Sequence, residues 1–379
     1  MLLNLPSTRE EAWRWSDLSA LPALAAATPQ TAHGDREHWE HSWLDCALDG
    51  PRLLFVDGKL DESRSKLGPL SVGAVDVDPR GHPLAALAGA SGWSLRLDRD
   101  HAPAGLVQIV HVSTGAADHL PAEIVLDVDA QASIVETYMG DGWANRLTQM
   151  SLAKGARLML ARRLLGTSGF VSLTDRAEIG EGASFTLTTL AAGGTDSRLD
   201  GEATITGEAA FVEAGGALLA RNRQRHDANF VVRHEAVGGM SRQLWRSVAD
   251  DRSTCSVAAR VEVERAAQKT DGEQSLKGLL LARTATVNAK PELEIFADDV
   301  KCAHGATVGE LDKAALFYLA SRGVPPEEAK ALLTRAFIAD AIDRIGEEVV
   351  REAFHADAGN WFGSVPLPLA GGARGGAVE

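Results

Sequence analysis

The chain reads as a mainly β protein, a right-handed parallel β-helix flanked by N-terminal and C-terminal helical regions. Three observations predict this. From about residue 95 to 300 the sequence runs in short strand-like stretches punctuated by glycine, with few helix signals. The stretches repeat weakly. Ala132 stands before Ser133-Ile134-Val135, Ala156 before Arg157-Leu158-Met159, Ala183 before Ser184-Phe185-Thr186 and Ala209 before Ala210-Phe211-Val212, a period of roughly 25 residues. Aromatic residues make up only 5% of the chain, while small residues abound, which suits tightly coiled backbone better than a large aromatic-filled core. In a solenoid each coil buries its apolar face only by stacking on the next. The competing architecture is a β-sandwich, whose strands also recur at regular spacing.

Residues 1–94 read as an N-terminal helical region and connector. Thr8 and Glu11 have capping-box spacing, and Trp13, Trp15, Leu18 and Leu21 follow. A second helix is expected over Asp35–Leu48, with Trp39, Trp43, Ala47 and Leu48 on one face. His33, His38 and His41 do not share one helical face, so a solvated polar surface is the simpler reading than a metal site. Leu53-Leu54-Phe55-Val56 runs into Asp57-Gly58, a turn signal. The β-helix core is placed at 95–304.

The end of that core changes character three times within Lys290–Asp312. Glu292-Leu293-Glu294-Ile295 alternates charged and apolar, as a half-buried strand does. Asp298-Asp299 supplies turn chemistry rather than a carboxylate pair for acid–base work. Val300, Cys302 and His304 share a parity, so in extended chain their side chains leave one face together. Gly305 is expected to end the strand.

Residues 305–368 read as a C-terminal helical domain and 369–379 as a flexible tail. A first helix, Leu311–Arg322, should end at Gly323, a natural C′ residue. A second starts at Pro325-Pro326-Glu327-Glu328, with an apolar stripe of Ala329, Leu332, Leu333, Ala336, Phe337 and Ala341. A third stretch, Ile342–Phe354, carries Ile345, Val349 and Ala353.

Composition narrows the function classes. The formal charge of −14 comes with no basic stripe, which argues against nucleic acid and anionic membrane as partners. The longest apolar runs, such as Leu279–Leu281, are far too short to span a bilayer, and Leu2-Leu3-Asn4-Leu5-Pro6 lacks the character of a signal peptide, so a cytoplasmic location is expected. Cys46, Cys255 and Cys302 are widely spaced and form no CxxC, so neither a disulfide framework nor a complete zinc site is indicated. No GxxxxGK[ST] occurs, so no nucleotide-binding phosphate loop is visible.

Cys302 and His304 are the candidate metal ligands. Thiolate and imidazole both bind iron, and an i, i+2 pair on a strand can reach one metal. Two ligands do not close a site, and a cluster usually takes four. The plainer reading of the pair is a buried structural cysteine beside a hydrogen-bonded histidine. Cys255, in Ser253-Thr254-Cys255-Ser256-Val257, reads as a small buried hydrophobe. His226 and His234 read as core or rim residues of one strand.

The run DDVKCAHGATVGELD, with AQKTDGEQSLKGLLLA before it and LFYLASRGV after it, resembles the SufD branch of the SufB/SufD family in the SUF iron–sulfur cluster assembly system. REEAWRWSDL resembles that family's opening motif. The likeness is strong over roughly the last 150 residues and patchy between. The related SufB branch carries a Glu-containing variant in place of the Cys-Ala-His-Gly run. The resemblance implies a β-helix core and a non-catalytic scaffold subunit of a SufBCD complex. It implies pairing with SufB through the β-helix and docking of the SufC ATPase through the C-terminal helices, where Leu332, Leu333, Ala336 and Phe337 are the candidate anchors. Sulfur would arrive indirectly from the SufS desulfurase with its SufE- or SufU-type acceptor. No intrinsic cofactor is implied, but Cys302 and His304 could hold transient iron or cluster shared with SufB, and the isolated chain could form a homodimer. The alternatives are a SufB-like cluster-carrying paralogue and a carbohydrate-active β-helix enzyme. The latter would show convergent acids recurring at the coil period, and none do.

Overall fold

The computed structural model describes residues 3–29, 43–44, 50–101, 103 and 105–363. His33, His38, His41, Cys46, the tail from 369 and all of the expected helix over Asp35–Leu48 except Trp43 and Leu44, which are not helical, lie outside the described residues. Among the described residues before the first strand, helical structure is a short helix, α1 (Leu21–Ala26), and a 3-10 turn at Glu11–Trp13. The capping pair is shifted by one residue from Thr8/Glu11. The Ser7 amide donates to the Glu10 carboxylate at 2.9 Å, and the Ser7 hydroxyl accepts from the Arg9 amide.

The strands follow in chain order. The first group is β1 (Arg52–Val56), β2 (Lys59–Leu60), β3 (Leu70–Ala74), β4 (Ser91–Leu97), β5 (Val107–Ser113), β6 (Ala117–Leu126) and β7 (Gln131–Gly140). The middle coils are β8 (Trp143–Leu152), β9 (Arg157–Leu164), β10 (Phe170–Ile179), β11 (Ser184–Ala191), β12 (Asp196–Ile205) and β13 (Phe211–Ala220). The last are β14 (Arg225–His234), β15 (Met240–Ala249), β16 (Thr254–Val263), β17 (Asp271–Leu280), β18 (Thr286–Ile295) and β19 (Lys301–Glu310). Odd strands from β5 to β19 stack into one sheet that also takes in β1 and β2, and even strands from β4 to β18 form the other with β3. Consecutive strands therefore alternate between two sheets, and the stacked pairs are parallel apart from β1–β2 and β3–β4. This is a β-solenoid of about seven turns, and the parallel ladders exclude the β-sandwich. The turn at Asp57-Gly58, both with positive φ, makes the β1–β2 hairpin as the dipeptide suggests. What reads in the sequence as a connector is thus already solenoid, because β1 pairs in parallel with β5.

The small-residue repeat is real but out of phase in two places. Arg157 bonds to the Ala130 carbonyl, Ser184 to Ala156, Phe211 to Ala183, Met240 to Ala210, Asp271 to Gly239 and Lys301 to Thr270. The stacked corner is therefore Ala130, Ala156, Ala183, Ala210 and Gly239. Ala132 sits two residues beyond the corner inside β7, and Ala209 is an exposed turn residue with φ of 54°. Alanine at the corner lets successive backbones approach, and all four corner alanines are buried.

Inward residues of both sheets form one apolar core along the solenoid, from Leu53 and Trp93 through Leu160 and Phe185 to Trp245, Val257 and Leu276. Cys255 is part of it, fully buried, and burial pushes its thiol well above the ordinary range. His226 and His234 are also interior, and burial lowers both to about 4, so they are neutral at pH 7.

Outward faces are covered differently. The sheet of odd strands carries the C-terminal helices α3 (Pro326–Ile342) and α4 (Glu348–Trp361), preceded by α2 (Lys313–Ser321). Ile338, Ile342, Ile345, Val350, Phe354 and Trp361 pack on Ala217, Leu219, Val248 and Leu279. Arg246 clamps Asp340 at 2.5–3.1 Å and Arg163 clamps Asp357 at 2.6 Å. Gly323, at φ 84°, closes α2 as expected, whereas the break between α3 and α4 falls at 343–347 instead of being absorbed into a helix from Ile342.

The sheet of even strands is covered by the N-terminal segment. Trp13, Leu18 and Leu21 pack on Leu84, Trp143 and Phe170. Beneath the segment runs a ladder of in-register polar residues, Asn145, Ser172, Arg198, Asp227, Ser256 and Asn288. Arg198 donates to the Ala12 carbonyl and Ser16 hydroxyl and stacks 4.5 Å from the Trp13 ring. Asp227 is the costly member. Burial raises its carboxyl to about 6 against the pull of Arg198 and hydrogen bonds from Ser16 and Ser256. Between 3.8 and about 6 the folded protein holds a proton that the unfolded chain has released, so Asp227 lowers stability as pH rises through that window. Asp227→Asn is expected to stabilise the protein at pH 7 by up to about 3 kcal/mol and to change little below pH 4. Melting curves of both proteins at the two pH values check this.

Candidate functional site

The two ends of the solenoid differ. At the N-terminal end an antiparallel hairpin and an antiparallel strand, β2 and β3, flank the stack. At the C-terminal end β18 and β19 each have, among the described residues, a strand neighbour on one side only, and neither contains a buried side chain. A strand with one free side presents a row of unpaired amides and carbonyls. β19 runs through Gly305 to Glu310, so Gly305 does not end it. Its φ is not positive, and a Cβ there would meet nothing within 4 Å. Glycine weakens a strand without terminating it.

Parity then places the candidate ligands. In the β17–β19 ladder Cys302 pairs with Gly272, His304 with Gln274 and Ala306 with Leu276. Leu276 belongs to the interior core, so this row faces the lumen, and Cys302 and His304 sit at its mouth. Residues i and i+2 on a strand lie about 7 Å apart at Cα, close enough for both side chains to reach one metal.

The two differ in exposure. Cys302 is half-buried against Val261, Val263, Ala267, Ala297, Leu293 and Val300. Burial raises its thiol above the ordinary value, the Gly272 amide opposes this by bonding to sulfur, and Asp271 adds to the rise. Gly272 lies directly beneath the thiol, and a Cβ there would meet the sulfur at 3.4 Å, an ordinary van der Waals contact. His304 is exposed. Among the described residues no group of three or more His, Cys, Asp or Glu could hold a metal ion. The pair suits iron as a donor set but supplies only half of a four-ligand site.

The helical candidates are less free than their stripe suggests. Ala336 is exposed, but Leu332, Leu333 and Phe337 are half-buried, and Phe337 packs on the outer cluster under α3. The exposed large apolar residues of the helical unit, among those described, are on α2, where Phe317 is 77% and Tyr318 56% exposed and no residue is buried. Sequence reasoning passed over this pair, although two adjacent aromatics in a chain so poor in them are a usable signal. It also missed Gln274, whose glutamine side chain alone does not reveal a lumenal position.

A family model described as the SUF system FeS cluster assembly SufBD core domain matches residues 110–337. The chain is 26% identical to the iron–sulfur cluster assembly protein SufD of Escherichia coli, over 98% of this chain and 91% of that one. It is 26% identical to a SufBD-family iron–sulfur cluster assembly protein of Synechocystis, over 90% and 84% of the two chains. It is 27% identical to SufD of Bacillus subtilis, over 41% and 36%. No described helix is long and apolar enough to cross a membrane.

Proposed function

Because the chain belongs to the SufBD family of iron–sulfur cluster assembly proteins, we propose that it is a non-catalytic scaffold subunit whose terminal coil completes a cluster site with a SufB partner. The observation that carries this reading is the open end of the solenoid, with two iron-compatible side chains on its last strand. β19 is the better template for strand addition, because β18 contains Pro291, which has no amide to donate. A partner strand along β19 brings foreign side chains to Cys302 and His304 and supplies the ligands this chain lacks. Iron or cluster is then shared cargo, with sulfur delivered by the desulfurase and its acceptor. A second copy of this chain is the alternative occupant of the same edge when the subunit is alone.

The ATPase partner belongs at the helical unit. α3 and α4 are held on the solenoid by buried arginine pairs, so α2 is the element left to enter a groove. Leu332, Leu333 and Ala336 would then border the Phe317–Tyr318 anchors. Co-expression with SufB- and SufC-type partners and recovery on a tagged copy of this chain tests the reading. Both partners should be recovered from the unmodified chain. Phe317→Asp with Tyr318→Ser should lower ATPase affinity at least about 30-fold, as loss of a hot spot does, and leave SufB recovery unchanged. Unchanged ATPase recovery would move the docking surface elsewhere.

A further inference from the structure

Gln274 stands one coil below His304, on the same lumenal face. Its side chain is 1% exposed, and neither its amide nitrogen nor its amide oxygen has a hydrogen-bond partner. Buried amides are nearly always bonded, so two idle atoms on one side chain are unusual. The residue one coil further in, Gln243, is also buried; its amide nitrogen bonds to the Arg260 carbonyl and its oxygen is idle. The polar row Gln243, Gln274, His304 thus runs from the interior to the mouth, and in-register neighbours on adjacent strands lie about 4.8 Å apart.

On the open side of Gln274 the in-register neighbour is His304. The exposed imidazole of His304 makes no hydrogen bond among the described residues, and the edge beside it is bare. We propose that Gln274 is a positioning residue for His304, its amide oxygen accepting the imidazole N–H once a partner strand covers β19. That bond fixes the ring's rotation and tautomer and leaves the other nitrogen, with its lone pair, facing the metal. A histidine ligand is ordinarily held this way through its second nitrogen. The inference rests on the reading that His304 is a ligand, and it adds the residue that makes the exposed ring a defined one. Gly272 stands in the matching place beneath Cys302, its backbone amide opposing the rise of the thiol.

The test uses the chain in complex with its SufB-type partner and Co(II) as the probe metal, followed by the thiolate charge-transfer band. Gln274→Met keeps the length and removes the idle amide. It is expected to raise the Tm of the free subunit, where an unpaired buried polar group is lost, and to weaken Co(II) binding by the complex about 10- to 100-fold, the range for losing an outer partner of a metal-bound histidine. Gln274→Glu retains the acceptor oxygen and should keep binding nearer to wild type than Gln274→Met. A purely structural glutamine would instead lose stability and binding together. Co(II) binding by Gln274→Met equal to wild type overturns the inference. His304→Ala separates the two readings. If it binds Co(II) as tightly as wild type, the ligand assignment fails; if it loses binding while Gln274→Met does not, only the positioning role fails.

Discussion

His304→Ala is expected to abolish iron–sulfur cluster maturation in a cell that has no other assembly system, while the subunit still folds and still joins its partners. The side chain is exposed on a terminal strand, so its removal creates no cavity in the subunit. Pairing along β19 uses main-chain amides and carbonyls, which alanine retains. On the proposed reading, what is lost is one of the two candidate ligands the chain would contribute. Reporter-enzyme activity should therefore fall more than about 10-fold, the lower bound seen for disturbing even an outer partner of a metal ligand. Cys302→Ala should have a smaller effect on cluster formation per unit of folded protein and some effect on stability, because Cys302 also packs in an apolar cluster. Normal maturation by His304→Ala would falsify the site.

Arg162→Met is expected to destabilise the protein by about 3–5 kcal/mol, the usual result of stripping one partner from a buried ionic group. Arg162 lies inside the solenoid, donating to Glu136 at 2.6 Å and to both carboxylate oxygens of Asp175. Burial alone would raise the Glu136 carboxyl, but Arg162, with the neighbouring His111, holds it at about 2. His111 itself is lowered to about 4 by burial and by the Arg146 charge, so it accompanies the network as a neutral, stacked ring between Phe55 and Tyr138. Methionine in place of Arg162 leaves two carboxylates buried without their cation. Adding Glu136→Gln and Asp175→Asn should restore most of the loss, because no uncompensated charge then remains. Chemical denaturation of the single and triple variants checks this. Equal destabilisation in both would mean that packing of the arginine stem, and not its charge, is what matters.

Much of the fold was legible because its signals are local. Glycine punctuation, alternation and small corner residues predicted stacked coils, and Pro326, Gly323 and the acids of the first turn marked helix ends that the structure confirms. The corner phase was legible only in part. Coil length varies, so Ala156 and Ala183 align while Ala132 and Ala209 miss by two and one. Helix α3 showed the same limit. Its stripe was read on Ala329, Leu332, Leu333, Ala336, Phe337 and Ala341; Ala329 and Ala341 are buried, but the rest of the buried face is Ala331, Thr334, Ile338 and Ile342, chosen by where the sheet lies. An apolar stripe says that a helix has a covered side without saying which neighbour covers it.

By itself, then, the sequence determined that Cys302 and His304 leave one face of an extended strand at the end of a repetitive β-region. Parity is a local property of two residues on one chain, and no distant contact can alter it. Only the tertiary structure decided that this face is the lumen, that Gln274 and Gly272 lie beneath the pair, and that β19 has no outer strand among the described residues. Those facts depend on which residues about 30 positions away fall into register, and register in a solenoid is set by the summed lengths of its turns and by burial of every coil at once. The interior ion network and the N-terminal cover over Arg198 and Asp227 belong to the same class. A charged residue in a strand reads as solvent-facing until the coils around it close, and only then does its partner become apparent.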